Sequence, residues 1–306
     1  MRVLLVEDSA VYQRLIGGYL KQWGFSFEVA QDGTEAWKLL GQADAPPLVL
    51  LDWVLPGMNG IELCRNIRSR GTTERYVYTV LLTGKGGKKD LVDAMEAGAD
   101  DYLVKPFDAE ELRARLLAGK RILDLHKKLV SAQASLHFAA THDFLTSLWN
   151  RAEVVSFLNR ELDRARRERK SVGVVLLDID HFKRINDSLG HKAGDSVLKE
   201  LARRLKSQLR SYDGVGRYGG EEFLLVLPGC DLATTISRVD EIRRFIAGLP
   251  FLTDRGVCSV TVSMGVSLSH GTGSAEAESL LHNADMALYR AKQDGRNCVQ
   301  NSLPAN

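Results

Sequence analysis

Short apolar runs alternate with amphipathic segments over the first third of the chain. Between Arg2 and about Glu110, these runs are RVLLV, FEVA, LVLLD, VYTVLL and DYLV. Such runs are typical of strands, and the segments between them have helical periodicity. Because strands that alternate with helices form parallel sheets covered on both faces, we expect a doubly wound, five-stranded parallel α/β domain over residues 1–115.

The segment from Asp108 to about Ala140 carries no strand pattern. Its apolar residues recur at spacings of four and three: Ala118, Ile122, Leu125, Leu129, Ala132, Leu136 and Ala139. This spacing is a short heptad seam. The alternative is one long helix that packs its stripe on its own domain, but the sequence offers no nearby element to cover that stripe. We therefore expect residues 116–141 to form a helical coiled-coil linker that serves as a dimer axis.

After Asp143 the strands become fewer. We expect a helix to about Lys170, the strand SVGVVLLDID, a helical stretch to Leu209 and a hairpin through RYGGEEFLLVL. A helix, the strand VTVSMGVSL, another helix and a short final strand follow. Since the hairpin is antiparallel, residues 142–306 are expected to form an α+β domain.

Length and charge limit the classes of partner. The 306 residues suffice for two domains, each with its own core. Lys plus Arg (41) nearly balances Asp plus Glu (39), so no global field favours nucleic acid or an anionic membrane. The basic run RARRERK lies on a predicted helix without a base-reading module and is interpreted as a solvated face.

Cysteines and apolar stretches indicate the compartment. The four cysteines lie far apart and form no CxxC pair, which argues against a zinc site or a disulfide framework. The longest apolar stretches have strand length, and the first residues enter a strand without a signal core. We expect a cytoplasmic protein with no membrane insertion.

Polar residues stand at the carboxyl ends of four predicted strands in the first domain. In chain order they are Glu7, Asp8, Asp52, Thr83 and Lys105. Carboxyl ends of parallel strands meet at one edge, where such sheets place their sites. Three converging carboxylates repel one another unless a cation lies among them, and oxygen ligands suit Mg²⁺. Asp52 could then attack a phosphoryl group as nucleophile, with Thr83 and Lys105 binding its oxygens.

The motifs VEDS, LLDWVLPGMNG, LLTGK and YLVKPF resemble, in this order, a response regulator receiver domain over residues 1 to 120. The resemblance implies that a histidine kinase phosphorylates Asp52 and that Thr83 and Tyr102 move together as a switch. It also implies a cis peptide at Lys105–Pro106. Each residue alone could be a cap, a turn or a loop charge, but the ordered set outweighs those interpretations.

Acidic residues also mark the second domain. The strand that ends in LLDID carries Asp178 and Asp180, of which we expect only Asp178 to face a site. The tip RYGGEEF supplies two glycines, which let backbone approach a ligand closely, followed by Glu221 and Glu222. Carboxylates from two strands can hold Mg²⁺ against a triphosphate. A charged hairpin turn is the plainer interpretation.

The motifs DFLTSLWNR, LLDIDHFKRIND, GHKAGD, GRYGGEEF, VSMGV and ALYRAKQDGRN resemble, in order, those of GGDEF-type diguanylate cyclases over about residues 141 to 300. This implies an α+β fold like that of nucleotidyl cyclases and condensation of two GTP molecules into cyclic di-GMP and two pyrophosphates, with two Mg²⁺ ions. The implied metal ligands are Asp178, Glu221 and the carbonyl of Ile179; the implied guanine-reading residues are Asn186 and Asp195; the implied phosphate-binding residues are Lys183, Lys292 and Arg296. Glu222 is placed near the metal and triphosphate.

Two details of this resemblance matter. Glu221 stands where the family name has Asp, but both carboxylates occur in active members. Asn186 and Asp195, taken singly, could be helix caps.

The RSYD segment, Arg210 to Asp213, resembles the family's RxxD product-inhibition site at the family's distance before the glycine pair. The planar donor fork of Arg210 suits guanine or phosphate, and Asp213 can accept from guanine nitrogens. A plain surface ion pair is the competing interpretation.

Assembly follows from the symmetry of the product. One GGDEF domain resembles a site for one GTP, so two domains must meet, in a homodimer held through receiver and coiled coil. Asp52 phosphate would alter receiver pairing and thereby gate catalysis, and product would inhibit it.

Other classes of function stay open. They are a catalytically silent GTP or cyclic di-GMP binding protein and a phosphorylation-driven interaction module, both of which predict decay of the acidic or base-reading residues. That decay is absent. A transcription factor is disfavoured because no helix-turn-helix candidate follows the linker, and no nucleic-acid partner is expected.

Overall fold

The computed structural model describes residues 1–69, 76–84, 87–269 and 277–302. The chain divides into two compact units, Met1–Ala134 and Ser135–Asn306, and each is described by itself. Within these described ranges, every helix lacks the combination of length and apolar character that crossing a membrane requires.

Five parallel strands alternate with helices in the first unit. The elements are β1 (Arg2–Val6), α1 (Ala10–Gln22), β2 (Ser26–Ala30), α2 (Gly33–Leu40), β3 (Leu48–Asp52), α3 (Gly60–Ser69), β4 (Tyr78–Thr83), α4 (Lys88–Glu96), β5 (Asp101–Val104) and the start of α5 (Ala109–Thr141). The strand order is β2-β1-β3-β4-β5. The doubly wound fold is confirmed, and its order reverses beside β1, where such sheets open a crevice.

Both faces of this sheet are covered, so its central strands are continuous apolar runs. Strands β3 and β4 are buried at every position. Neighbouring residues such as Leu50 and Leu51 belong to opposite core clusters, because successive side chains in a strand point to opposite faces.

Helix α5 carries two separate stripes. Its first half packs on the sheet through Leu112, Leu116, Gly119 and Leu123. This packing reaches into the segment predicted as linker. The seven predicted seam residues, Ala118 to Ala139, are all exposed in the single chain, Leu136 to 71%. The helix therefore packs on its own domain through a different stripe from the heptad seam.

The second unit has one five-stranded sheet and a short hairpin. Its elements after α5 are α6 (Arg151–Glu168), β6 (Val172–Ile179), α7 (Phe182–Leu189), α8 (His191–Gln208), β7 (Gly214–Gly219), β8 (Glu222–Pro228), α9 (Leu232–Gly248), β9 (Phe251–Thr253), β10 (Gly256–Cys258), β11 (Val262–Ser269), α10 (Ala277–Gln293) and β12 (Val299–Asn301). The sheet order is β12-β11-β6-β8-β7, with β6 antiparallel to both neighbours. The predicted α+β architecture is confirmed.

Two details of the second unit were absent from the sequence prediction. The helical stretch to Leu209 consists of two helices, because Gly190 between them takes a φ of 84°, in the left-handed region. The hairpin of β9 and β10 has three residues in each strand, too few for an alternating pattern to be recognised.

Candidate functional sites

Three acidic side chains meet at the carboxyl ends of β1 and β3. Glu7, Asp8 and Asp52 each place one carboxylate oxygen within 4.8 Å of the others. Glu7 and Asp52 are buried, whereas Asp8 is exposed. The structure thus brings together the three residues that the sequence predicts as receiver metal ligands. Gly60 packs directly against the backbone of Asp52, since a Cβ there would lie 2.2 Å from the Asp52 backbone oxygen.

Lys105 compensates part of this acidic charge. The Lys105 Nζ lies 2.6 Å from Glu7 Oε2 and 3.1 Å from Asp52 Oδ2, over the ring of Tyr12. Burial raises the pKa of Glu7, while the hydrogen bond from Lys105 opposes that shift. The backbone N–H of Lys105 donates to the Thr83 carbonyl at 2.6 Å. The Lys105 ammonium group is therefore held between the carboxylates of Glu7 and Asp52.

The predicted switch residues occupy neighbouring strands. Thr83 is the buried last residue of β4, and Tyr102 lies half-buried on β5, in register with Leu81. The peptide between Lys105 and Pro106 is cis. Both switch residues therefore stand close to the carboxyl edge that holds Asp52.

A second acidic cluster lies where β6 meets the β7–β8 turn. Asp178 is in register with Glu222, and its Oδ2 lies 2.8 Å from the Lys292 Nζ. The N–H of Ile179 donates to the carbonyl of Glu221 at 3.4 Å. The strand end and the turn thus bring the predicted metal ligands into one place.

The electrostatics of this cluster are those of crowded acids. Burial raises the pKa of Asp178, against the hydrogen bond from Lys292. Burial also raises the pKa of Glu221 and Glu222, and the charge of Asp178 adds to both shifts. The pKa of all three acids stays raised in spite of Lys292, so a divalent cation bound by these oxygens would stabilise the ionised forms.

Asp178 and Asp180 have different surroundings. Residues two apart in a regular strand share a face, so alternation alone does not separate them. Because β6 ends before Asp180, its carboxylate turns to other donors. It accepts from the hydroxyls of Thr261 (2.7 Å) and Ser263 (2.6 Å) and from the N–H of Asn297 (3.0 Å). Asp178 therefore remains to face the glutamates.

The two predicted guanine-reading residues lie on consecutive helices. A Cβ at Gly194 would lie 1.9 Å from Asn186 Oδ1, so the Asn186 amide rests on α8 beside Asp195. The helix-cap interpretation is wrong for both, since the N-caps of α7 and α8 are His181 and Gly190. Asn186 and Asp195 are free for another role.

The three cations predicted to bind phosphates lie on α7, on α10 and in the turn after α10. Lys292 is in the last turn of α10, and Lys183 is exposed in the first turn of α7, where helix N–H groups favour anions. Arg296 is exposed in the turn after α10. Its charge opposes, in part, the rise that burial causes in the pKa of Asp178.

The side chains of Arg210 and Asp213 in the RSYD segment bind other partners and do not pair with each other. The Asp213 side chain is 0% exposed and binds Arg238, with Nη2 to Oδ2 at 2.6 Å. It also accepts from the backbone N–H of Arg210 at 2.8 Å, while the Arg210 guanidinium donates to the Tyr212 hydroxyl. Arg210 and Asp213 therefore engage other side chains, and the plain-ion-pair interpretation is wrong. Arg238 lies 25 residues from Asp213 along the chain, and no sequence motif indicated that it binds this aspartate.

Arg217 holds the turn between β7 and β8, and the sequence motifs did not predict this contact. Its Nε and Nη2 donate to the carbonyl of Gly220 at 2.9 and 2.7 Å, and its Nη1 lies 3.2 Å from the Asp143 carboxylate. Burial would raise the pKa of Asp143, but hydrogen bonds from Thr146 and the charge of Arg217 hold it below its usual value. The peptide before Glu221 is thus tied to the start of the domain.

Comparisons with known proteins match both units of the chain. A family model described as diguanylate cyclase, GGDEF domain, matches residues 140–298, and the response regulator receiver domain model matches residues 3–117. The response regulator PleD of Caulobacter vibrioides is 37% identical over 303 residues, covering 97% of this chain and 65% of PleD. The chain thus spans less than two thirds of the length of the curated relatives that it matches.

Solved structures resemble the second unit. The coiled coil and GGDEF domain of DgcB from Caulobacter crescentus, in complex with c-di-GMP, is 28% identical, covers 62% of this chain and 98% of that one, and has a TM-score of 0.55. SiaD from Pseudomonas aeruginosa, in complex with its activator SiaC, is 36% identical over 63% of this chain and 73% of its own, with a TM-score of 0.52.

Proposed function

Because the chain belongs to the GGDEF family of diguanylate cyclases and joins that domain to a response regulator receiver domain, we propose that it condenses two GTP molecules into cyclic di-GMP and two pyrophosphates. The observation that carries this proposal is the acidic cluster of Asp178, Glu221 and Glu222 beside Lys292. These groups can hold a metal–triphosphate where charge develops during phosphoryl transfer.

The donor set of the cluster fits Mg²⁺. Asp178, Glu221 and the carbonyl of Ile179 offer only oxygen ligands, which this ion prefers, and Glu222 lies beside them. When bound, Mg²⁺ neutralises triphosphate charge and lowers the pKa of an attacking hydroxyl. We assign two ions to this site and one to the receiver, at the acids around Asp52.

Base and phosphate recognition use the neighbouring elements. The Asn186 amide offers a donor and an acceptor, and the exposed Asp195 carboxylate can accept from the ring and amino nitrogens of guanine. Adenine presents a different edge and would leave these groups unpaired. Lys183, Lys292 and Arg296 bind the phosphates.

The test is incubation of the full chain with GTP and Mg²⁺, followed by mass spectrometry of the products. We expect cyclic di-GMP and pyrophosphate from GTP, and a rate with ATP lower by about 100-fold or more. Comparable rates with ATP would contradict guanine recognition. GTP binding without any turnover, in resting and receiver-activated protein, would instead indicate a silent binding protein.

Dimerisation brings two such sites together. Each domain holds one GTP, so two chains must pair, and the exposed seam of α5, with Leu129 at 58% and Leu136 at 71% exposure, offers an apolar stripe for this. A coiled-coil tether raises the local concentration of the second domain to roughly millimolar. The receiver domain contributes to the same homodimer.

Phosphorylation of Asp52 by a histidine kinase is the proposed signal. A phosphoryl group adds about −1.5 to −2 charges beside Glu7 and Asp8. Lys105 and Thr83 bind its oxygens, so their neighbour Tyr102 repacks and receiver pairing changes.

We expect beryllofluoride with Mg²⁺ to raise the specific activity by about tenfold, within the usual range of allosteric coupling, and Asp52→Asn to abolish that rise. The measurement is the initial rate of pyrophosphate release at several protein concentrations. Asp44→Asn, which changes a carboxylate exposed to 76%, should keep the full rise. Equal wild-type activity with and without the mimic would mean that the receiver does not gate catalysis.

Product inhibition is proposed at the RSYD segment. The Asp213 carboxylate, which we expected to accept from guanine nitrogens, is fully buried against Arg238. The exposed guanidinium of Arg210 is therefore the group of this segment that would meet cyclic di-GMP. We expect Arg210→Ala to raise the inhibition constant by about tenfold or more while keeping its initial rate. Progress curves with added product measure this. Arg203→Ala, on an exposed neighbouring turn, should be inhibited like wild type, and equal inhibition of Arg210→Ala would reject the site.

A further inference from the structure

We propose that Asp180 is a positioning residue that holds the turn bearing Arg296 in the place from which Arg296 binds the GTP phosphates. This inference rests on the proposed function. It gives the second acid of the DID segment a role separate from metal binding by Asp178.

The Asp180 carboxylate is buried, at 5% exposure, and bridges two segments. Its Oδ2 accepts from both the Thr261 hydroxyl (2.7 Å) and the backbone N–H of Asn297 (3.0 Å). Its Oδ1 accepts from the Ser263 hydroxyl at 2.6 Å, and its own N–H donates to the Thr261 carbonyl. The side chain thus joins the start of β11 to the turn after α10.

That turn has a backbone conformation that requires support. Arg296 and Asn297 have φ values of 65° and 47°, so two consecutive residues with a Cβ are left-handed. The N–H of Arg296 donates to the carbonyl of Ala291, and the side-chain oxygen of Asn297 accepts from Arg243 at 2.9 Å. The hydrogen bond from the N–H of Asn297 ties this turn to Asp180, which comes directly after the strand carrying Asp178.

The turn places its cation at the acidic cluster. Lys292, one helical turn earlier, lies 2.8 Å from Asp178, and Arg296 is near enough to interact electrostatically with the same carboxylate. Small displacements of a phosphate-binding group weaken catalysis strongly, because binding and reaction depend on orientation. Asp180 therefore acts through Arg296.

The test is a double-variant cycle for GTP turnover in the full chain. We expect Asp180→Ala to raise the KM for GTP by about tenfold. In the Arg296→Ala background the same change should leave KM as it is in Arg296→Ala alone, while it lowers Tm in both backgrounds. Equal KM effects in both backgrounds would overturn the inference.

A conservative variant separates hydrogen bonding from charge. In Asp180→Asn the amide oxygen can accept from the N–H of Asn297, and its NH₂ can donate to the Ser263 hydroxyl. We expect a KM close to wild type. A KM raised as in Asp180→Ala, at unchanged Tm, would overturn the inference and make the carboxylate charge the requirement. This variant also decides the matter if Asp180→Ala does not fold.

Ser267→Ala is the matched control. It removes another buried hydrogen bond of β11, from Ser267 Oγ to the Leu280 carbonyl at 2.7 Å. We expect a lower Tm with unchanged KM, and an equally raised KM would indicate general loosening and overturn the inference. If wild type makes no cyclic di-GMP, the proposed function fails. The same variants then show, through the Kd of a non-hydrolysable GTP analogue, whether Asp180 and Arg296 are still coupled.

Discussion

Glu221→Gln should lower the rate of cyclic di-GMP formation by about 10³-fold or more. Glutamine keeps the size of the side chain but lacks the charge that a Mg²⁺ ligand supplies next to Asp178. The measurement is the initial rate at saturating GTP and Mg²⁺. Near-normal turnover would contradict the metal role of Glu221.

The same change should leave the fold intact. Burial and the charge of Asp178 raise the pKa of Glu221, so its ionised form opposes folding when no cation is bound. A neutral glutamine removes that repulsion, and we expect the Tm in Mg²⁺-free buffer to be equal or higher. Asp52 in the receiver domain of this variant should still be phosphorylated. Glu241→Gln, on the exposed face of α9, is the matched control and should keep its activity.

Arg204→Met should lower the free energy of unfolding by about 3–5 kcal/mol. The Arg204 side chain is 4% exposed. Its guanidinium donates to Glu200 at 2.8 Å and to the carbonyls of Ile246 (3.2 Å), Leu249 (2.8 Å) and Pro250 (2.6 Å). Methionine fills similar space but leaves the carbonyls in the last turn of α9 and directly after it without these donors.

Urea unfolding of the full chain measures this loss. Arg203→Met is the matched control, because Arg203 pairs with the same Glu200 at 2.7 Å while 69% exposed. Exposed pairs contribute about 0–1 kcal/mol, so the control should unfold close to wild type. Similar losses for both variants would show that the buried hydrogen bonds of Arg204 contribute little.

The sequence pattern predicted those helices and strands in which buried side chains recur at a regular spacing or occupy every position. The strands of the first unit were found because central parallel strands are continuous apolar runs. The three-residue strands β9 and β10 were missed because they contain less than two periods of alternation. The stripe of α5 that packs on the sheet, ending at Leu123, was overlooked beside the stronger heptad spacing.

The candidate sites were predicted where motifs place acids at strand ends, as for Asp52 and Asp178. Contacts between distant side chains were not predictable in this way. Arg217 reaches Asp143 across 74 residues, and only folded geometry selects that partner. The separation of Asp178 from Asp180 depends on the residue at which β6 ends, and strand ends are the least certain part of a pattern.

The contact between Gly194 and Asn186 has a consequence for the evolution of nucleotide choice. A single methyl group at residue 194 would lie 1.9 Å from Asn186 Oδ1, the far end of a side chain that can swing away. The helix would survive that swing, but the amide would leave the position proposed for reading guanine. If Asn186 reads guanine as proposed, fidelity toward GTP depends on a neighbouring position on α8, and one added carbon there would erode it in a protein that still folds.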